Sequence, residues 1–276
     1  MPPTQTITVN GVPRHYSIYR PTDAHGPRPL IIFLHGSGAS AAQPASELGL
    51  VPQADAAGVV VVYPDGEPPT FSWASGCCQA RANSHADLDF ITALVHRLEA
   101  DGIADPRHVV ISGFSSGAIT AYALGCDDPK LFRAVVAVSG AMLAPPPFVR
   151  ASAPSAKCAP SQPVSVYQIH GTNDTTDPTD GSTQLCAPDG PCGPGVPRWE
   201  PSAATVDSWW RQLDHCGTPT TRLFSGHSAT VADCAAGTQV GIAQVDGGTH
   251  DLGVLAHGFP ISDTLVNLAL GRSPQW

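Results

Sequence analysis

The chain has 276 residues, enough for a large buried core, and is 42% apolar but only 13% charged, about half the usual charged share. Its 14 Lys and Arg stand against 23 Asp and Glu, a net charge of −9. Such a chain attracts neither phosphate backbones nor acidic lipid, which argues against nucleic-acid and membrane partners, and no apolar run reaches the length of a membrane span.

The opening "TQTITVNGVPRHYSIYRP" alternates around Asn-Gly, which predicts two antiparallel edge strands over residues 1–20. "PRPLIIFLHGSGAS" and "AGVVVVYPDG" follow, separated by a helical stretch. Both runs are too apolar for a half-exposed strand and belong in a sheet covered on both faces. "ADLDFITALVHRLEADG" spaces Leu88, Ile91, Leu94, Val95 and Leu98 as a helix does. A strand at "DPRHVVISGF", a helix at "SSGAITAYALGC" and strands at "FRAVVAVSG" and "QPVSVYQIHG" come next. The last third holds a helix at "SAATVDSWWRQLDHCG", strands around 220–245 and a closing helix at "PISDTLVNLAL". Alternating strand and helix imply an α/β fold, a mostly parallel central sheet flanked by helices. Residues 141–162 and 175–201, dense in Pro, Gly, Ser and Asp, read as long loops. Without repeats or linkers, residues 1–276 read as a single domain.

Gly113-Phe114-Ser115-Ser116-Gly117 is G-x-S-x-G between a strand and a helix. So sharp a turn strains the serine backbone and admits only glycine at the flanks, and it lifts Ser115 above the sheet edge as a nucleophile. The plainer reading makes Ser115 a helix N-cap. A serine hydroxyl needs a histidine base held by an acid. Asp174, just beyond the strand in "VYQIHGTNDTTDP", is the candidate acid, with Asp177 as runner-up. His250, in "GIAQVDGGTHDLG", is the candidate base, with His257 as its rival. All three candidates fall at strand carboxyl ends, where such sheets gather ligands. Oxyanion donors are expected from the backbone of Ser116 and of Ser37, in "FLHGSGAS", with Gly38 next. His35 and His170, each before a glycine, read as loop-ordering residues. "GHSAT" lacks the last glycine of an elbow and reads as a hairpin turn. Asp174, Asp177 and Asp180 do not match an EF-hand, and no metal is expected. Trp73, Trp199, Trp209 and Trp210 are candidates for a substrate wall, Trp199 and Trp73 being the ones placed at the site.

Eight cysteines without paired C-x2-C spacing argue for disulfides and an oxidising compartment. Cys186 with Cys192 is local, and Cys216 with Cys234 would staple a Thr-rich hairpin. No signal peptide opens the sequence, so secretion would require one absent from it.

The ordered set "PLIIFLHGSG", "CCQARANSHADLDFITALV", "DPRHVVISGFSSGAITAYALGC", "FRAVVAVSG", "IHGTND", "SWWRQLDHCG" and "DGGTHDLG" resembles the secreted esterases that group polyhydroxybutyrate depolymerase-like enzymes with feruloyl and acetylxylan esterases. The resemblance implies an α/β-hydrolase fold, secretion, no cofactor, and Ser115, Asp174 and His250 as nucleophile, acid and base. It also implies pairing among Cys77, Cys78, Cys126 and Cys158. The chain departs from the family where Asp251 and Leu252, not a tryptophan, follow the base, and where Ala86-Asp87 replaces an acidic pair. The expected activity is serine-dependent hydrolysis of carboxylic esters, small or polymeric, with hydroxycinnamoyl esters of plant polysaccharides foremost. Depolymerisation of polyhydroxyalkanoate or aromatic polyester is the alternative, and a silent binding module the remoter one. Oligomeric state is not legible in the sequence.

Overall fold

The computed structural model describes residues 2–22, 25–68, 71–73, 85–142, 158–185 and 197–276. Asn10 and Gly11 both take positive φ, 51° and 80°, the two-residue turn that suits strand twist. They join β1 (Thr4–Val9) to β2 (Val12–Tyr19). The two apolar runs are β3 (Arg28–Leu34) and, after short helices α1 (Ala42–Glu47) and α2 (Leu50–Ala57), β4 (Val60–Pro64). Helix α3 (Ala86–Ala100) leads to β5 (Ala104–Phe114), α4 (Ser116–Asp127), β6 (Ala134–Val138) and β7 (Ser165–Gly171). Strands β8 (Ser182–Leu185) and β9 (Pro197–Glu200) pair as a hairpin before α5 (Ala203–Leu213). Strands β10 (Thr220–Phe224), β11 (His227–Asp233) and β12 (Gln239–Val245) precede α6 (Leu252–Gly258) and α7 (Ile261–Ala269).

Ten strands form one sheet in the order β1-β2-β4-β3-β5-β6-β7-β12-β11-β10. From β4 to β12 all pairings are parallel, and an antiparallel pair of strands extends each side. Two expectations change here. β2 is no edge, because its outer side pairs with β4, and the region 175–201 contains a hairpin rather than loop throughout.

Strand pleating sends alternate residues to opposite faces. Leu30, Ile32 and Leu34 of β3 join the cluster under α3, α4 and α5, while Ile31 and Phe33 join the one under α2, α6 and α7. Helix α3 contributes Leu88, Phe90, Ile91, Leu94, Val95 and Leu98 as its buried apolar stripe, each worth about 1.5–3 kcal/mol of burial. Gly102, at φ 68°, lets the chain reverse after that helix. Arg14 on β2 donates to buried Asp87 of α3 at 2.6 Å and lies 4.2 Å over the Phe90 ring. The β1–β2 hairpin is thereby tied to the helix layer.

Among the described residues four cysteines form two disulfides, Cys126–Cys158 and Cys216–Cys234. The second closes the β10–β11 hairpin as expected, and the first is one of the pairings the resemblance allowed. Cys77, Cys78, Cys186 and Cys192 lie outside the described residues. Of "GHSAT", only Gly226, at φ 83°, lies in the β10–β11 turn, and His227–Thr230 belong to β11 itself. No helix among the described residues is long and apolar enough to cross a membrane.

Candidate active site

Ser115 follows the last residue of β5 and precedes the first of α4, with φ 54° and ψ −120°. A serine in that region is strained by about 1–3 kcal/mol and persists only where its surroundings enforce it. The enforcing contacts are backbone on backbone. A Cβ on Gly113 would run into the carbonyl of Gly117, and one on Gly117 into the carbonyls of Leu34 and His35. The Ser115 N–H donates to Val138 O at 2.9 Å, which ties the corner to β6. Although Ser115 occupies the N-cap position of α4, its side chain makes no cap bond. Its Oγ lies instead 2.9 Å from His250 Nε2.

His250 Nδ1 lies 2.8 Å from Asp174 Oδ2, so Ser115, His250 and Asp174 form one continuous relay. These partners assign the proton to Nδ1, leaving Nε2 to accept from the serine. His250 stands in the loop after β12, and Asp174 in the loop after β7, its parallel neighbour. The two loops touch through glycine: a Cβ on Gly171 would overlap the Gly248 carbonyl. The Asn173 N–H donates to that same carbonyl at 2.8 Å. Thr249 and His250 are thus set against the acid by backbone approach. Asp251, next in line, caps α6 by accepting from the Val254 N–H at 2.9 Å.

The Asp174 carboxylate is buried, which opposes ionisation. Hydrogen bonds from His170, His250 and the Asp177 N–H outweigh that penalty and hold it well below the usual carboxylate range. Its Oδ1 accepts from the N–H groups of Thr176 at 3.0 Å and Asp177 at 2.8 Å. Asp177, the other candidate acid, does not reach His250. Its Oδ2 accepts from the Ala141 N–H at 3.1 Å, and burial pushes its pKa up. His257, the other candidate base, lies exposed on α6 and bonds Gly253 O at 2.6 Å.

The donor loop is ordered by His35. Its Nδ1 bonds Gly36 O at 2.7 Å, its Nε2 accepts from Gly66 N–H at 2.9 Å, and burial lowers its pKa. Those roles require the neutral ring. The neighbours of Ser37 point their N–H groups elsewhere: Gly36 to Gln43 Oε1 at 3.2 Å, Gly38 to Phe71 O at 3.1 Å. Gly38, the second candidate donor, is therefore already engaged.

Trp73 is not on an accessible wall. It is fully buried, its indole N–H donating to His35 O at 2.8 Å, so it braces the donor loop from beneath. Trp209 and Trp210 are likewise buried in the layer under α5. Trp199 sits on β9, its backbone opposite Thr183, but its side chain lies outside the described residues. Sequence reasoning passed over Phe114, whose ring centroid lies 4.9 Å from that of His250. The x of G-x-S was a signal for it. Gln43, which holds Gly36, had no such signal.

Residues 73–184 match the phospholipase/carboxylesterase family. NocK of Nocardia uniformis subsp. tsuyamanensis, which bears an esterase name, is 35% identical over 185 residues, 67% of this chain and 51% of that protein. Feruloyl esterase B of Piromyces equi is 25% identical over 227 residues, covering 80% of this chain and 39% of that protein. The chain thus spans about half the length of the first relative and less of the second. An acetyl xylan esterase structure from Aspergillus awamori superposes with a TM-score of 0.67, covering 96% of this chain and 99% of that one, at 15% identity. At that identity the likeness concerns the fold. Sheet order, family match and relatives agree: the chain has the α/β-hydrolase fold, and the relatives it is similar to bear esterase names.

Proposed function

We propose that this chain acts as one catalytic domain, a secreted serine hydrolase of carboxylic esters with Ser115 as nucleophile, His250 as base and Asp174 as acid. The observation that carries the reading is the relay of 2.9 Å and 2.8 Å from Ser115 through His250 to Asp174. Ser115 Oγ attacks the ester carbonyl carbon as its proton passes to His250 Nε2. The backbone N–H groups of Ser116, in the first turn of α4, and of Ser37 receive the oxyanion. The carbon–oxygen ester bond then breaks, and the alcohol leaves with the proton held by His250. Water, losing a proton to the same nitrogen, attacks the acyl-serine; the bond to Ser115 Oγ breaks as that proton passes from His250 to Oγ, which releases the acid and restores the serine. Asp174 keeps His250 in the needed tautomer throughout.

Hydroxycinnamoyl esters of plant polysaccharides are the proposed substrates, a choice supported by relatives named as feruloyl esterases. Trp199 is proposed to contact the substrate, while Trp73 acts only through the donor loop. The two disulfides support an oxidising compartment. A panel of methyl hydroxycinnamates, acetylated xylan, hydroxybutyrate oligomers and an aromatic polyester, compared by kcat/KM, tests this. Highest values on the hydroxycinnamates, lost in Ser115→Ala, are expected. Preference for a polyester would move the substrate class, and no turnover of any ester would favour the binding-module reading.

A further inference from the structure

His170 is a buried histidine that the relay does not require. Its Nε2 lies 2.6 Å from Asp177 O and 3.5 Å from Asp174 Oδ2, the same oxygen that binds His250. Both neighbours of that nitrogen are acceptors, so it carries the proton. The surroundings differ sharply from those of His35, whose ring faces one donor and one acceptor and stays neutral. Around His170, the carboxyls of Asp174 and Asp177 are both buried. Among the described residues no lysine or arginine lies within ion-pair distance of either. Buried carboxylates need a compensating cation, and the ring of His170 is the group placed to supply it.

We infer that His170 is a charged positioning residue, an imidazolium that shares Asp174 Oδ2 with His250 and sets how far into acid the site works. The inference rests on the hydrolase reading above. The titratable groups facing the ring are Asp174 and Asp177 from the loop after β7 and, across Asp174, His250 from the loop after β12. Its register partner on β12, Gln244, carries no charge. Burial disfavours the charged ring, but the bond to Asp174 and the field of Asp177 outweigh it and raise its pKa. A fixed positive charge beside Asp174 opposes a second proton on His250. That repulsion links His170 to the acid side of the pH profile.

His170→Gln retains a nitrogen donor for Asp177 O and removes the charge. Its acidic limb of kcat/KM should move upward by about one pH unit, the effect of one charge at this range in a partly screened interior. A purely structural role would lower kcat and leave the limb where it was, and an unmoved or downward-moving limb overturns the inference. A second readout needs no turnover: ring nitrogen-15 NMR of the full chain, with His170 assigned through its sequential backbone connectivities. Both His170 nitrogens protonated at pH 7 is the expected result, and a neutral ring overturns the inference even if His170→Gln fails to fold. Should no ester be hydrolysed, the catalytic reading fails alone and the NMR result still decides the charge.

Discussion

At the serine corner Gly113 and Gly117 leave no room for a Cβ because backbone carbonyls lie against them, whereas every residue of β10 is exposed and its hairpin is closed by Cys216–Cys234. The corner spends stability, holding Ser115 at φ 54°, and its geometry survives because strands β3, β5 and β6 clamp it from below. The hairpin has little apolar burial on its outer strand and relies on a covalent link that limits its unfolded freedom. Shape at the first is enforced by steric exclusion and at the second by chain connectivity. Substitutions at the corner should therefore strike hydrolysis, and substitutions at the hairpin should strike stability.

The sharpest contrast lies within the corner's own partners. Asp174→Asn should lower kcat on the order of 10⁴-fold, because the amide no longer fixes the His250 tautomer. Asp177→Asn, whose parent carboxylate accepts from Ala141 rather than His250, should cost far less. Kinetics on the two variants side by side check this, and the reverse ranking moves the acid to Asp177.

Gly117→Ala comes next. Its methyl would meet the Leu34 and His35 carbonyls, which are main-chain atoms and cannot swing aside. Destabilisation of about 3 kcal/mol is expected, with hydrolysis lost beyond what reduced folding explains. Denaturant unfolding and specific activity of the folded fraction separate the two effects.

The paired change Cys216→Ala with Cys234→Ala removes a link of sequence separation 18 and should cost about 3 kcal/mol. Activity at low temperature should persist, since no relay residue lies in the hairpin. A variant that melts like the parent, or that folds but does not turn over, would break the comparison.

A smaller effect should come from Asp214, at the end of α5 beside that disulfide. Burial pushes its carboxyl up to about 7, with the Val164 N–H partly holding it back. An unfolded Asp titrates near pH 4. Between about pH 4 and 7 the folded protein thus keeps a proton that the unfolded chain has released, and stability falls as pH rises through that window. The Tm should drop from pH 5 to pH 8, and drop less in Asp214→Asn. Equal drops in both would place the titrating group elsewhere.

Much of this was legible before the fold was known. Periodicity located α3 and α5, continuous apolar runs located β3 and β4, and strand-end placement picked out Ser115, Asp174 and His250, because a parallel sheet brings its carboxyl ends together. Local pattern put Asp174 ahead of Asp177 but left the second open, since three residues of loop decide which carboxylate meets His250. Nor could it separate Trp73, buried as a brace, from an aromatic wall, because burial of a loop residue depends on what packs over it. β2 read as an edge because its pairing partner, β4, lies more than 40 residues onward. His170 looked like a loop-ordering residue, and its contact with Asp174 emerges only when both sit at the end of β7.

Whether Ser115 becomes acylated can be read from a rapid-quench mass measurement during turnover of a slow hydroxycinnamoyl ester. One acyl group is expected, found on the peptide bearing Ser115 and absent in Ser115→Ala. Turnover with no adduct, or an adduct on another residue that persists in Ser115→Ala, would contradict that expectation.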